Sequence, residues 1–217
     1  MMKVAILNFP GTSCETEVER LFQTIVKAEP TIVWHADATS LEAYDAVVIP
    51  NGAVYGNYLR PGALAKSSPA TKALQTFAQA GKPVVGLGNG FQVLVEIGLL
   101  PGAFLQNPSL TFQSGKAALR VNRKTKFTSQ YREEVITLPY AQQFATYYND
   151  TPIAKEQIVM TFENNMFNST QSIAALTNEG GNVCGIIALP ERATEAVIGG
   201  TDGLPFFESI LNNWSEQ

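Results

Sequence analysis

The chain is poor in the residues that most often carry chemistry. Its 217 residues include one histidine, His35, and two cysteines, Cys14 and Cys184. The isolated cysteines have neither metal-ligand spacing nor the pattern of a disulfide framework, so no metal and no cofactor is expected. Charge is scarce as well: Asp, Glu, Lys and Arg make up 16% of the chain, against the usual quarter. A polar but uncharged surface explains this more simply than a face covered by a partner. The net charge of −4 and pI near 5.1 leave no basic footprint, which excludes nucleic acid as an expected partner. Long apolar runs are missing too, which excludes a membrane span, and Met1–Asn8 is too short for a signal peptide. A cytoplasmic protein is expected, in which the Asn-x-Ser/Thr matches at Asn149, Asn168 and Asn213 carry no weight.

What the chain has is apolar patterning. With 45% hydrophobic residues it can bury one sizeable core, most simply as a single domain over 1–217. Lys3–Leu7, Ile32–Trp34, Ala46–Ile49 and Pro83–Leu87 read as buried parallel strands. Between the first two lies a helix with Ser13 as candidate cap and Val18, Leu21, Phe22, Ile25 and Val26 on one face. A second helix has Ser68 as cap, Pro69 at its first position and Gly81 after its end. Such alternation implies a mainly parallel α/β sheet with helices on both faces. From about Leu110 to Leu176 the runs Ala117–Val121, Glu134–Leu138, Ile158–Phe162 and Ile173–Leu176 read as an antiparallel extension. Val183–Leu189 reads as another buried strand, with Cys184 a core residue. Phe206, Phe207, Ile210, Leu211 and Trp214 mark a final amphipathic helix that packs on its own sheet.

The most informative segment is Val84-Val85-Gly86-Leu87-Gly88-Asn89-Gly90-Phe91-Gln92. An apolar strand runs into a glycine-rich turn and then a helix, the build of a nucleophile elbow. Gly86 and Gly90 flank the tip as an elbow requires, but the tip itself is Gly88, which has no side chain.

Further motifs occur in a fixed order: Phe9-Pro10-Gly11-Thr12-Ser13-Cys14-Glu15, Tyr55-Gly56-Asn57-Tyr58-Leu59-Arg60, Gly90-Phe91-Gln92, Gly98-Leu99-Leu100-Pro101-Gly102, Phe127-Thr128-Ser129, Pro190-Glu191-Arg192-Ala193 and Gly200-Thr201-Asp202-Gly203-Leu204. Together they resemble the glutaminase subunit of phosphoribosylformylglycinamidine synthase, a class I glutamine amidotransferase of purine biosynthesis. The resemblance implies a flavodoxin-like fold and a Cys–His–Glu hydrolysis of glutamine that delivers ammonia to a synthetase subunit. It also implies where this chain departs. The family's Cys falls on Gly88 and its His on Leu189, while its Glu is kept as Glu191. The usual His-Gly-Glu-Gly stretch reads Gln142-Gln143-Phe144-Ala145, and the strand-end glycine pair of the oxyanion hole reads Asn51-Gly52-Ala53, so half the pair is lost.

The expected function is therefore that of a pseudoglutaminase, a non-catalytic subunit or binding module, possible partner of a purine-pathway synthetase. Two alternatives stand beside it. One is an enzyme of changed chemistry using Glu191 and a residual anion-binding nest of backbone N–H groups from Asn89 and Gly52 or Ala53. The other is a sensor of glutamine or another small amide or anionic ligand, using the side chains of Asn89 and Gln92. Cys14 and His35 read as structural or supporting residues. Without a histidine to orient, Glu191 is expected to hydrogen-bond a backbone amide or pair with Arg192. For Arg60, a salt bridge within the chain and contact with a synthetase weigh equally.

Overall fold

The computed structural model describes residues 1–214; the last three residues of the expected single domain lie outside the described residues. A nine-stranded sheet organises the chain. Five strands run parallel: β1 (Lys3–Asn8), β2 (Glu29–Trp34), β3 (Ala46–Ile49), β4 (Val84–Leu87) and β11 (Val183–Ile186). Every residue of β3, β4 and β11 is buried, as expected of strands covered on both faces, where an unbroken apolar run replaces alternation.

The strand order β2-β1-β3-β4-β11 reverses direction at β1. Right-handed crossovers then place the helix that follows β1 and those that follow β3 and β4 on opposite faces. On one face lies α1 (Glu15–Arg20), continued by a π-helical turn over Leu21–Ile25, with α4 (Leu204–Trp214) beside it. The Phe22 and Phe207 rings meet edge-on at 5.6 Å across that contact. On the other face lie α2 (Pro69–Gln79) and α3 (Asn89–Glu96), joined where Gln75 Nε2 donates to the Ile97 carbonyl at 3.1 Å. Ser68 caps α2 as expected, its Oγ accepting from the Ala70 N–H at 3.2 Å with Pro69 in the first turn. The Ser68 hydroxyl also meets His35 Nδ1 at 2.9 Å, so the sole histidine braces a helix cap and stacks on Phe9.

Ser13 does not cap α1. Cys14 holds the cap position without a side-chain bond, because the Ser13 and Cys14 N–H groups both donate to the Asn51 carbonyl and tie this loop to the end of β3. The expected strand Val183–Leu189 is also shorter than its apolar run. It leaves the sheet after Ile186, and Ile187, Ala188 and Leu189 stay buried.

Beyond β11 the sheet is antiparallel, in the order β10 (Ile173–Thr177), β9 (Ile158–Phe162), β6 (Gln113–Val121) and β7 (Val135–Gln142). The last strand extends past Leu138, where Pro139 interrupts the sequence pattern. Proline is tolerated there because β7 is the edge strand, and its extension pairs Gln142 with Gln113. A second, two-stranded sheet joins β5 (Ala103–Leu105) to β8 (Thr146–Tyr148); each is three residues long, too short for periodicity to announce. One continuous core spans the parallel and antiparallel halves. Among the described residues, no helix is long and apolar enough to cross a membrane.

Candidate functional site

The C-terminal ends of β3 and β4 meet beside the point where strand order reverses, the place where open α/β sheets carry their sites. The β4–α3 turn has the close approach that its glycines foretold. A Cβ on Gly86 would lie 2.5 Å from the Gly90 backbone, and one on Gly90 would lie 2.0 Å from the Ile49 carbonyl oxygen. Gly88, at the tip, has φ +55° and ψ −110°, a backbone state that disfavours any residue with a Cβ.

The space in front of Gly88 is taken. A Cβ there would lie 2.3 Å from Asn51 Oδ1 and 2.5 Å from Gln142 Nε2. These two side chains are bonded to each other, Gln142 Nε2 donating to Asn51 Oδ1 at 2.8 Å. The same oxygen accepts the Asn89 backbone N–H at 2.9 Å. That N–H, at the start of α3, is one donor of the expected anion-binding nest, and an internal carboxamide oxygen occupies it. The Ala53 N–H is engaged too, donating to the Gly11 carbonyl at 2.8 Å. Gly52 forms a bridge with Thr12, and a Cβ there would lie 2.5 Å from the Gly11 carbonyl oxygen. The nest is thus brought together at the elbow, but with its Asn89 and Ala53 donors satisfied by the protein itself.

The amides of Asn89 and Gln92 also face inward. Asn89 Oδ1 accepts the Val54 N–H at 2.8 Å, and its Nδ2 donates to Asn57 Oδ1 and to Gln92 Oε1. Gln92 Nε2 donates to the Phe144 carbonyl. Both residues are buried, and each polar atom is spent inside the fold. Sequence reasoning missed Asn51 and Gln142 as a pair. The signal was present in the two altered motifs, but not the fact that they converge on the third.

On the neighbouring segment after β11, Leu189 is fully buried, its N–H donating to the Pro139 carbonyl of β7 at 2.8 Å. Glu191 is 3% exposed, and among the described residues neither carboxylate oxygen has a hydrogen-bond partner. This corrects the expected bond or pairing with Arg192. The Arg192 guanidinium turns instead to Glu17, at 3.1 Å from Nε, and to Cys14 Sγ at 3.2 Å. Burial pushes Glu191 up to about 8, and the nearby Arg192 charge offsets this only in part. Burial, helped by the Glu191 and Glu17 carboxylates, pushes the Cys14 thiol up to about 11, the reverse of nucleophile activation. Cys184 is buried in β11, and its thiol too is pushed upward by burial. Arg60 makes a two-pronged ion pair with Glu96, the Nη2–Oε2 contact being 2.9 Å.

A glutamine amidotransferase fold thus carries a closed elbow. Residues 1–142 match the CobB/CobQ-like glutamine amidotransferase domain family, and the chain belongs to that family. Among solved structures it is similar to PurLQS from Thermotoga maritima, at 37% identity over 98% of this chain and 99% of that one, with a TM-score of 0.91. That similarity agrees with the resemblance to the glutaminase subunit of phosphoribosylformylglycinamidine synthase. Fold alone is shared with a candidate GMP synthase component from Thermoplasma acidophilum (13% identity, 99% and 94% of the chains, TM-score 0.72). The same holds for a glutamine amidotransferase from Thermotoga maritima (12% identity, 100% and 99%, TM-score 0.68).

Proposed function

We propose that this chain is a pseudoglutaminase: a single glutamine amidotransferase-like domain that keeps the family scaffold without hydrolysing glutamine, and serves as a non-catalytic partner of a purine-pathway synthetase. The observation that carries this reading is the Asn51–Gln142 pair in the space of an elbow side chain. An amidotransferase needs a nucleophile at that tip, a base within reach and N–H donors free for the oxyanion. Here Gly88 and Leu189 offer no functional atom, and the Asn89 N–H is bonded to Asn51. A carboxamide oxygen between two donors copies the contacts that an oxyanion would receive, so the site is satisfied at rest.

The inward-facing amides of Asn89 and Gln92 take away the motive for a glutamine sensor. Changed chemistry through Glu191 has little support, because its buried carboxyl has no hydrogen-bond partner among the described residues and the sole histidine is engaged elsewhere, with Ser68. The test is a glutaminase assay on the full chain, with and without a purine-pathway synthetase subunit. No glutamate release above buffer is expected in either case; chain-dependent release of glutamate would overturn the proposal.

A further inference from the structure

One group of side chains is left unused by this reading. Cys14 Sγ, a Glu17 carboxylate oxygen and a Glu191 carboxylate oxygen all lie within 4.8 Å of one another. They come from the start of α1 and from the turn after β11, which the fold packs together. Two observations set the group apart from an ordinary acidic patch. Glu191 is buried with both oxygens unpartnered, and a buried carboxylate without a donor is costly unless something pairs with it. A cation already stands at the group: the Arg192 guanidinium contacts both Cys14 Sγ and Glu17.

We propose that Cys14, Glu17 and Glu191 form a site for a thiophilic divalent cation of the Zn²⁺ class. One sulfur and two carboxylate oxygens match the donors that zinc accepts, and three protein ligands leave a fourth position for water. Small rotations would close the group, since zinc holds sulfur at about 2.3 Å and oxygen at about 2.0–2.2 Å. Ligation by a thiolate and two carboxylates gives three negative charges, which Zn²⁺ and the adjacent Arg192 balance; the ligand protons pass to solvent. The entry side is open, because Arg192 and Glu17 side chains are 39% and 44% exposed, so the guanidinium can swing aside. A cavity of about 260 Å³ lined by Glu17, Glu191 and Arg192 lies against the group. The group shares no side chain with the Asn51–Gln142 pair at the elbow, and its test does not depend on glutamine.

The experiment titrates ZnCl₂ into the chelator-stripped full chain by calorimetry, with thermal unfolding in parallel. One Zn²⁺ per chain is expected, with Tm raised by roughly 5–10 °C at a hundredfold excess over Kd. Mg²⁺ should give neither effect, because a thiolate selects the softer ion. Cys14→Ala and Glu191→Gln should each weaken Zn²⁺ binding by at least about tenfold, whereas Cys184→Ala, inside β11 and outside the group, should leave it unchanged. Glu17→Gln, at the exposed edge, provides the same readout if a buried variant fails to fold. No stoichiometric Zn²⁺, equal binding of Mg²⁺, or binding that survives both Glu17→Gln and whichever buried variant folds would overturn the proposal.

Discussion

Restoring a cysteine at the elbow should cost stability before it can restore anything else. In Gly88→Cys the new Cβ starts 2.3 Å from Asn51 Oδ1 and 2.5 Å from Gln142 Nε2, so both side chains must retreat. The backbone state at φ +55° and ψ −110° adds strain of about 1–3 kcal/mol for a residue with a Cβ. Displacing Asn51 breaks the bonds to Asn89 N–H and Gln142 Nε2, and stranding those buried donors costs about 1–3 kcal/mol each. Partial relaxation keeps the total at roughly 3–6 kcal/mol, a large share of the 5–15 kcal/mol that holds a domain together. At about 2–4 °C per kcal/mol for a chain of this size, the Tm should fall by roughly 10–20 °C. Thermal and urea unfolding of Gly88→Cys, Asn51→Gly and the double variant form the cycle. Part of the loss should disappear in the double variant, because Asn51→Gly clears the nearer obstacle, so the two effects should be strongly non-additive. A Gly88→Cys protein within 1 kcal/mol of the parent, or a strictly additive pair, would refute the packing argument and leave the closed elbow without a physical basis.

Three further outcomes follow from the same geometry. Gly88→Cys combined with Leu189→His should release no glutamate from glutamine until Asn51→Gly and a smaller residue at Gln142 are added; turnover in the plain double variant would show that the closed elbow is not what blocks the chemistry. In metal-free buffer, Glu191 makes stability fall as pH rises. The unfolded carboxyl ionises near its ordinary value of 4.5 while the folded one holds its proton to about 8, so each step upward through that window favours unfolding. The loss should reach a few kcal/mol, and Glu191→Gln should flatten it; urea midpoints at pH 5 and 8 that drop equally in parent and variant would count against a buried, unpaired carboxyl. Leu59 is 86% exposed with φ +67°, a left-handed state that costs an L-residue about 1–2 kcal/mol. Leu59→Gly should therefore raise the Tm by a degree or more, and a lower Tm would mean that Leu59 has a stabilising contact.

Much of the scaffold is legible along the chain because its determinants are local. Ala46–Ile49 and Ile158–Phe162 have the bounds that their apolar runs set, and Ser68-Pro69 starts α2 through chemistry contained in adjacent residues. The errors arise where a distant partner overrides the local signal. Ser13 has the right side chain for a cap, but the loop is claimed by the Asn51 carbonyl. Pro139 looks like the end of a strand until the sheet order makes β7 an edge. The site follows the same division. The bare tip at Gly88 is plain in the sequence, whereas the Asn51–Gln142 bond joins residues 91 positions apart, and the Arg192–Cys14 contact spans 178. No periodicity encodes such meetings; only the sheet order that brings β3, β4, β7 and the turn after β11 to one end does so.

The three altered motifs at the elbow constrain one another, which bears on how the closed state is maintained. A side chain at position 88 and the Asn51 amide claim the same volume, so the two are mutually exclusive in this backbone. On the proposed reading, loss of the tip side chain had to precede or accompany the arrival of Asn51 and Gln142. Once present, those residues satisfy the Asn89 N–H that an empty oxyanion hole would leave buried and unpaired, and glycine removes the strain that an elbow residue imposes. Each change stabilises the others, and a single reversion meets a steric barrier in place of a vacant pocket. A chain held in this way is stable because it is closed, so selection for the scaffold and selection for catalysis would pull on position 88 in opposite directions.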